Sequence, residues 1–141
     1  MSALRDQLID ELAQSGPMTL EAFMARALTD ATHGYYVQRQ PFGRAAPNGG
    51  DFTTAPEISQ MFGELIGAWC ADLWHRMGQP EAFCLAELGP GRGTLMADVM
   101  RAASVIPGFT KTTQVHFVEI SPTLRQLQKE KLPNAHWHDD I

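Results

Sequence analysis

The sequence predicts an α/β fold, namely the first βαβαβ part of a doubly wound parallel sheet preceded by a helical and loop segment. Its clearest sign is the run Phe-Cys-Leu-Ala-Glu-Leu at 83–88, near-continuously apolar and one strand long, as a strand covered on both faces should be. That run passes directly into Gly89-Pro90-Gly91-Arg92-Gly93-Thr94 and then into a helix-period segment. A second strand-like run at 114–120 carries Glu119 near its end and leads into Ser121-Pro122, a helix start. Strand, glycine turn, helix, strand, helix, strand is the order of a doubly wound sheet. The expected division is a helical segment with a Gly/Pro-rich loop and a core helix over 1–80, then the sheet over 81–141.

Each element has its local reason. Leu4, Leu8, Ile9 and Leu12 share one helical face, and Gly16-Pro17 stops that helix. Thr19 can cap a second helix whose Leu20, Phe23, Met24, Ala27 and Leu28 make an apolar stripe, expected to be core. From His33 to Pro56 the chain is loop-like, punctuated by Pro41, Gly43, Pro47, Asn48, Gly49 and Gly50. The aromatics Tyr35, Tyr36, Phe42 and Phe52 predict some packing there. A single helix is expected over 57–77, with Pro56 in its first turn, Gly78 at its end and Ile58, Phe62, Leu65, Ile66, Trp69 and Leu73 as the buried stripe. After the glycine turn, Leu95, Met96, Val99 and Met100 form a buried helix face, Pro133-Asn134 breaks the next helix, and 135–141 supplies a third strand and the loop after it.

Composition excludes several classes. With 16 Asp+Glu against 11 Lys+Arg, net charge −5, the chain lacks the basic balance of a protein that neutralises nucleic-acid phosphates. No run of apolar residues approaches the ~18 of a membrane span, and no basic, then apolar, start suggests a secretory signal. Residues 1–10 are not an Arg-rich, acid-poor presequence, which favours a cytoplasmic location, or the mitochondrial matrix if the parent is eukaryotic. Cys70 and Cys84 match no zinc or redox spacing and are expected to be buried, reduced thiols.

The chemistry concentrates at Glu87-Leu88-Gly89-Pro90-Gly91-Arg92-Gly93-Thr94 and at Glu119. Ligands of doubly wound sheets bind beyond the carboxyl ends of the strands, where glycines let the backbone approach closely. A carboxylate at the end of the next strand can accept hydrogen bonds from both hydroxyls of a ribose. The pair predicts a nucleoside-containing cofactor. The dinucleotide fingerprint ends in Gly or Ala where this chain has Thr94, so a nicotinamide or flavin site is the weaker alternative, as is a plain strand-to-helix turn. His136 and His138 point the same way along a strand by periodicity alone, and no metal is indicated.

The pattern Glu-x-Gly-x-Gly-x-Gly resembles motif I of S-adenosylmethionine (SAM)-dependent methyltransferases. Gly50 to Gln60 (Gly-Asp-Phe-Thr-Thr-Ala-Pro-Glu-Ile-Ser-Gln), followed by Phe62-Gly63-Glu64, is similar to a long block of the MidA family. So are Gly34-Tyr35-Tyr36 upstream and the Glu-Leu-Gly-Pro-Gly-Arg-Gly-Thr form of motif I downstream. That family of protein-arginine methyltransferases includes the mitochondrial complex I assembly factor. The resemblance covers about residues 17–141 and implies a Rossmann-like SAM-binding fold with methyl transfer to an arginine nitrogen of a protein partner.

Carried over by position, the resemblance implies that Glu87, Gly89, Gly91 and Gly93 line the cofactor and Glu119 holds its ribose. Asp139, Asp140 and Ile141 would surround adenine. The block from Asp51 to Glu57 would close over the cofactor or shape the substrate entrance. Arginine stays protonated in water, so its methylation needs carboxylates that orient the guanidinium and take a proton; Asp51 and Glu57 are the candidates. Both also have structural readings, Glu57 as a first-turn helix acid and Asp51 as a turn former. The sequence supplies at most three strands of such a sheet, so the expectation is the N-terminal part of a larger enzyme. The alternative is a non-catalytic truncated module that binds a protein partner.

Overall fold

The computed structural model describes residues 3–38 and 51–141. The expected loop positions Pro41, Phe42, Gly43, Pro47, Asn48, Gly49 and Gly50 lie outside the described residues. Contacts divide the chain into two compact units, Met1–Pro41 and Phe42–Ile141, and not at residue 80 as the sequence suggested. The boundary moves because the long helix before the sheet packs on the helix after the glycine turn and so belongs to the sheet unit.

The first unit holds α1 (Ala3–Ser15), α2 (Leu20–Thr29) and α3 (Tyr35–Gln38). Thr19 caps α2 as its sequence position suggests, its hydroxyl accepting from the Ala22 N–H at 3.1 Å. An ion pair between Arg26 and Glu11 at 2.8 Å links α2 to α1. Asp30 closes α2 by accepting from the His33 and Thr32 backbone N–H groups, which holds its carboxyl below the usual range. The expected apolar stripes are only partly covered: Leu8 is buried, but Ile9, Leu12, Leu20, Phe23 and Met24 are exposed. A unit this small has little surface with which to bury two full stripes.

The second unit is an α/β layer. It contains α4 (Ala55–Ile58), α5 (Gln60–Arg76), β1 (Phe83–Leu88), α6 (Thr94–Ala103), α7 (Phe109–Thr112), β2 (Thr113–Val118), α8 (Pro122–Lys131) and β3 (His136–His138). The strands pair in parallel in the order β1-β2-β3, with Leu85 beside Val115 and Phe117 beside Trp137. The face bearing Leu85, Val115, Phe117 and Trp137 packs on Met96 and Val99 of α6 and on Leu132 after α8. Phe109 of the unforeseen α7 is fully buried against Trp74 and Phe83.

Three expectations are corrected here. The single helix over 57–77 is two helices, because Ser59 is extended (φ −151°) and caps α5 through its hydroxyl. The buried face of α5 is not the large-residue stripe. It is Gly63, Gly67, Cys70, Ala71 and Trp74, while Leu65 (66%) and Trp69 (63%) are exposed together with Ile58, Phe62 and Leu73. Third, β1 is covered on one face only, so that Cys84, with Ala86 and Leu88, is exposed. Cys70 is buried, and burial pushes its thiol pKa up.

The α5 face follows from backbone proximity. A Cβ on Gly67 would lie 2.7 Å from the Val99 carbonyl oxygen, and one on Gly63 would lie 2.5 Å from Asp98 Cβ. The small residues let α5 seat directly on the backbone of α6, with Arg101 bonding Glu64 (3.0 Å) and Asp98 (2.9 Å) at the rim. Gly67→Ala should therefore destabilise the chain by about 1–3 kcal/mol, the usual range for overpacking, read as a lower urea midpoint. An unchanged midpoint would show that the two helices can separate freely.

Candidate functional site

β1 ends at the glycine turn. Gly89, Gly91 and Gly93 have φ of +63°, +55° and +70°, so three of five successive residues are left-handed, a conformation that a Cβ disfavours. The sequence needs glycine here for geometry, whatever the ligand. The turn forms one wall of a cavity of about 160 Å³ lined by Thr54, Pro56, Glu57, Glu87, Gly89–Leu95 of the turn and helix start, excluding Gly93.

Glu87 is the electrostatic centre of that cavity. One carboxyl oxygen, Oε2, is buried without a hydrogen-bond partner among the described residues, and the Met96 N–H at the start of α6 bonds to the carboxyl. Burial raises its pKa to about 7, with the Met96 bond opposing the rise. Glu57 also lines the cavity; its Oε1 accepts from the Thr94 hydroxyl at 2.6 Å, and that hydroxyl accepts from Lys131 Nζ at 2.7 Å. Burial pushes the Lys131 ammonium pKa down, against the opposing pull of Glu57.

Beyond β2, Glu119 is buried and faces inward. Its carboxylate accepts from the Ser121 N–H (2.8 Å) and from Gln128 Nε2 (3.3 Å), and it does not line the cavity. A carboxylate offers about four acceptor positions, so two are used. Beyond β3, Asp139 pairs with Arg125, while Asp140 and Ile141 are exposed; none of the three lines the cavity. Asp51 is exposed and also stands outside its wall. The structure thus brings together Glu57, Glu87, Gly89 and Gly91 at the cavity, and leaves Gly93, in the same turn, and Asp51, Glu119, Asp139, Asp140 and Ile141 off its wall.

Two residues absent from the sequence reading organise the strand ends. Arg125 donates to the carbonyl oxygens of Glu119 (2.6 Å) and His138 (3.0 Å), joining the ends of β2 and β3. Gln128 donates to the Gly91 carbonyl at 2.7 Å and accepts from the Trp137 indole at 2.8 Å. Polar residues on an otherwise amphipathic helix were the only available signal for either. His116, His136 and His138 stack on the open sheet face, and among the described residues no group of three or more His, Cys, Asp or Glu is placed to hold a metal.

A family model described as "Putative S-adenosyl-L-methionine-dependent methyltransferase" matches residues 65–141. The chain belongs to this methyltransferase family. Family members among curated proteins include the zebrafish (Danio rerio) mitochondrial protein arginine methyltransferase NDUFAF7, 44% identical over 89% of this chain and 29% of that protein. The Drosophila melanogaster homologue is 42% identical over 95% of this chain and 30% of its own length. A crystal structure described as a "likely methyl transferase" from Burkholderia thailandensis, bound to S-adenosyl-homocysteine, superposes with a TM-score of 0.77 at 26% identity. That match covers 99% of this chain and 37% of the other. The chain therefore spans about 30% of the length of the curated relatives. Those relatives are named as mitochondrial, which lends no support to the cytoplasmic location expected from the sequence.

The glycine turn fits a close-lying ligand backbone, and Glu87 offers a buried acceptor that lacks a partner among the described residues. At about 160 Å³ the cavity lies below the ~300 Å³ at which pockets take a whole small molecule.

Proposed function

We propose that the chain contributes the cofactor-binding part of a SAM-dependent protein-arginine methyltransferase. The observation that carries this reading is the cavity itself, with the left-handed Gly89 and Gly91 on its wall and, beside them, the Glu87 carboxyl, whose Oε2 has no partner among the described residues. Glu87, Gly89, Gly91 and Gly93 would receive the amino-acid end of the cofactor. Parallel strands lie about 4.8 Å apart, so the ends of β1, β2 and β3 form a track about 10 Å wide. Along it Glu119, through its two unused acceptor positions, would hold the ribose. Asp139, Asp140 and Ile141 would flank the adenine.

When bound, the cofactor supplies an electrophilic methyl on a sulfonium. The chain's part is to fix the approach line, where misplacement is costly. Glu57, on the cavity wall, is the carboxylate we assign to orienting a substrate guanidinium and taking the proton it loses as the N–C bond forms and the methyl's S–C bond breaks, which would leave a neutral thioether. Asp51, outside that wall, is assigned to the substrate entrance. The partner is an arginine-bearing protein, and the setting an aqueous compartment, the cytoplasm or the mitochondrial matrix of a eukaryotic parent.

Calorimetric titration with S-adenosyl-homocysteine tests this. The wild-type chain is expected to bind, and Gly91→Val and Glu119→Ala should each weaken binding at least about tenfold, or 1.4 kcal/mol. Unchanged affinity in both variants would overturn the reading. The exposed stripe of Leu65, Trp69 and Leu73 supports a second one, a partner-binding module without catalysis. A monomer in light scattering, together with cofactor binding, would count against it.

A further inference from the structure

We propose that Thr94 is a positioning residue: with Lys131 it pins the α4 turn, and with it Glu57, in the wall of the cavity that Glu87 also lines. This rests on the reading of that cavity as the cofactor site.

α4 adjoins α5 and touches α6, but little of that contact is burial. It is a single turn of four residues with no buried residue, and its N-cap Thr54 makes no side-chain cap bond. One helical turn is unfavourable by itself, because nucleation fixes several dihedrals for one hydrogen bond. Ile58, its large apolar side chain, is exposed. Among the described residues, the 2.6 Å bond from the Thr94 hydroxyl to Glu57 ties α4 to the start of α6.

The hydroxyl is free to do this because the N-cap of α6 is Gly93, which leaves Thr94 at the first helical position, where its side chain is not needed for capping. Lys131 then fixes its polarity. An ammonium has donors only, so its 2.7 Å contact must be received by a Thr94 lone pair, and the single hydroxyl proton is left for Glu57. Both ends of the relay are charged, which makes its two bonds the stronger kind. The three residues come from α4, from the start of α6 and from the end of α8, all in the second unit.

Thr94→Val keeps the shape of the side chain and loses the hydroxyl. Thr94→Ser keeps the hydroxyl, and Lys131→Met removes the far donor without touching the start of α6. The readouts are amide order parameters of Glu57 and Ile58, and affinity for S-adenosyl-homocysteine. In the wild type and Thr94→Ser those order parameters should stay near the rigid value of about 0.85, and in Thr94→Val and Lys131→Met they should fall toward about 0.6. Affinity should fall about five- to tenfold in Thr94→Val and be restored to within about twofold in Thr94→Ser, the scale of one charge-assisted bond. Rigid Glu57 and Ile58 amides in both Thr94→Val and Lys131→Met would overturn the proposal, as would equal loss in Ser and Val. A wild-type chain that binds no S-adenosyl-homocysteine would refute the cofactor reading, while the order parameters would still decide the relay.

Discussion

Glu87→Gln is expected to remove a pH dependence of stability that the wild-type chain shows between about pH 4.5 and 7. The folded carboxyl titrates near 7, while in the unfolded chain it returns to its ordinary value of 4.5. Below 4.5 both states hold the proton, so nothing changes there. Between the two values the unfolded state releases the proton and the folded state keeps it. Stability therefore falls as pH rises, by about 1.4 kcal/mol per unit. Above about 7 both are ionised and the loss is complete, at roughly 3 kcal/mol.

Gln resembles the protonated acid in shape and never ionises. Its amide oxygen can accept from the Met96 N–H that now bonds the carboxyl. Wild type and variant should match below about pH 4, and at pH 8 the variant should be the more stable by up to roughly 3 kcal/mol. Urea midpoints of the pair across that window make the measurement, with the other carboxylates cancelling in the difference. Parallel curves would show that Glu87 is solvated. A wild-type chain that carries this penalty at neutral pH, at a group lining a cavity, fits a binding site better than a structural one.

What could be read from the sequence was what is local. The turn at Gly89–Gly93 is dictated by its own glycines, and the caps at Thr19 and Ser121 by their own hydroxyls, so motif and spacing were enough. The face of α5 was not readable in that way. Hydrophobic periodicity picks out the large residues Leu65, Trp69 and Leu73, but Gly63 and Gly67 decide which side can approach α6, and closeness of backbones leaves no hydrophobic signal. Ser59 broke the expected helix for a related reason, since its side chain satisfies the start of a new one. At the site, Glu57 was singled out for its charge. Its partner Thr94 was invisible as a partner, because the two are separated by 37 positions and meet only through tertiary packing. Glu119 was placed correctly at the end of its strand, but its inward orientation depends on Gln128, a residue with no motif of its own.

Gln128→Leu should be among the most damaging single substitutions in the sheet unit. The residue is 0% exposed and serves three elements at once. Its amide nitrogen donates to Gly91 O in the glycine turn and to Glu119 Oε2 beyond β2, and its amide oxygen accepts from the Trp137 indole of β3. Leucine fills similar space but leaves a buried carbonyl, a buried carboxylate oxygen and an indole N–H without their partner. Unsatisfied buried groups cost about 1–3 kcal/mol each, and the three share one network, so the sum is less than additive. A loss of roughly 3 kcal/mol is expected in urea unfolding, and a loss below about 0.5 kcal/mol would mean that water takes over the bonds.

Gln128→Glu separates electrostatics from packing. It would set a second carboxylate against Glu119, and two buried like charges cannot both ionise cheaply. Its defect should therefore grow more between pH 5 and pH 7 than that of the leucine variant, which removes one donor but adds no charge. Because Gly93 would meet Gln128 Cγ at 3.2 Å if it carried a Cβ, the same side chain also sets how closely the glycine turn can lie against α8. The cavity and the stability of the sheet are thus held by one residue, and the leucine variant should weaken S-adenosyl-homocysteine binding even at temperatures where it remains folded.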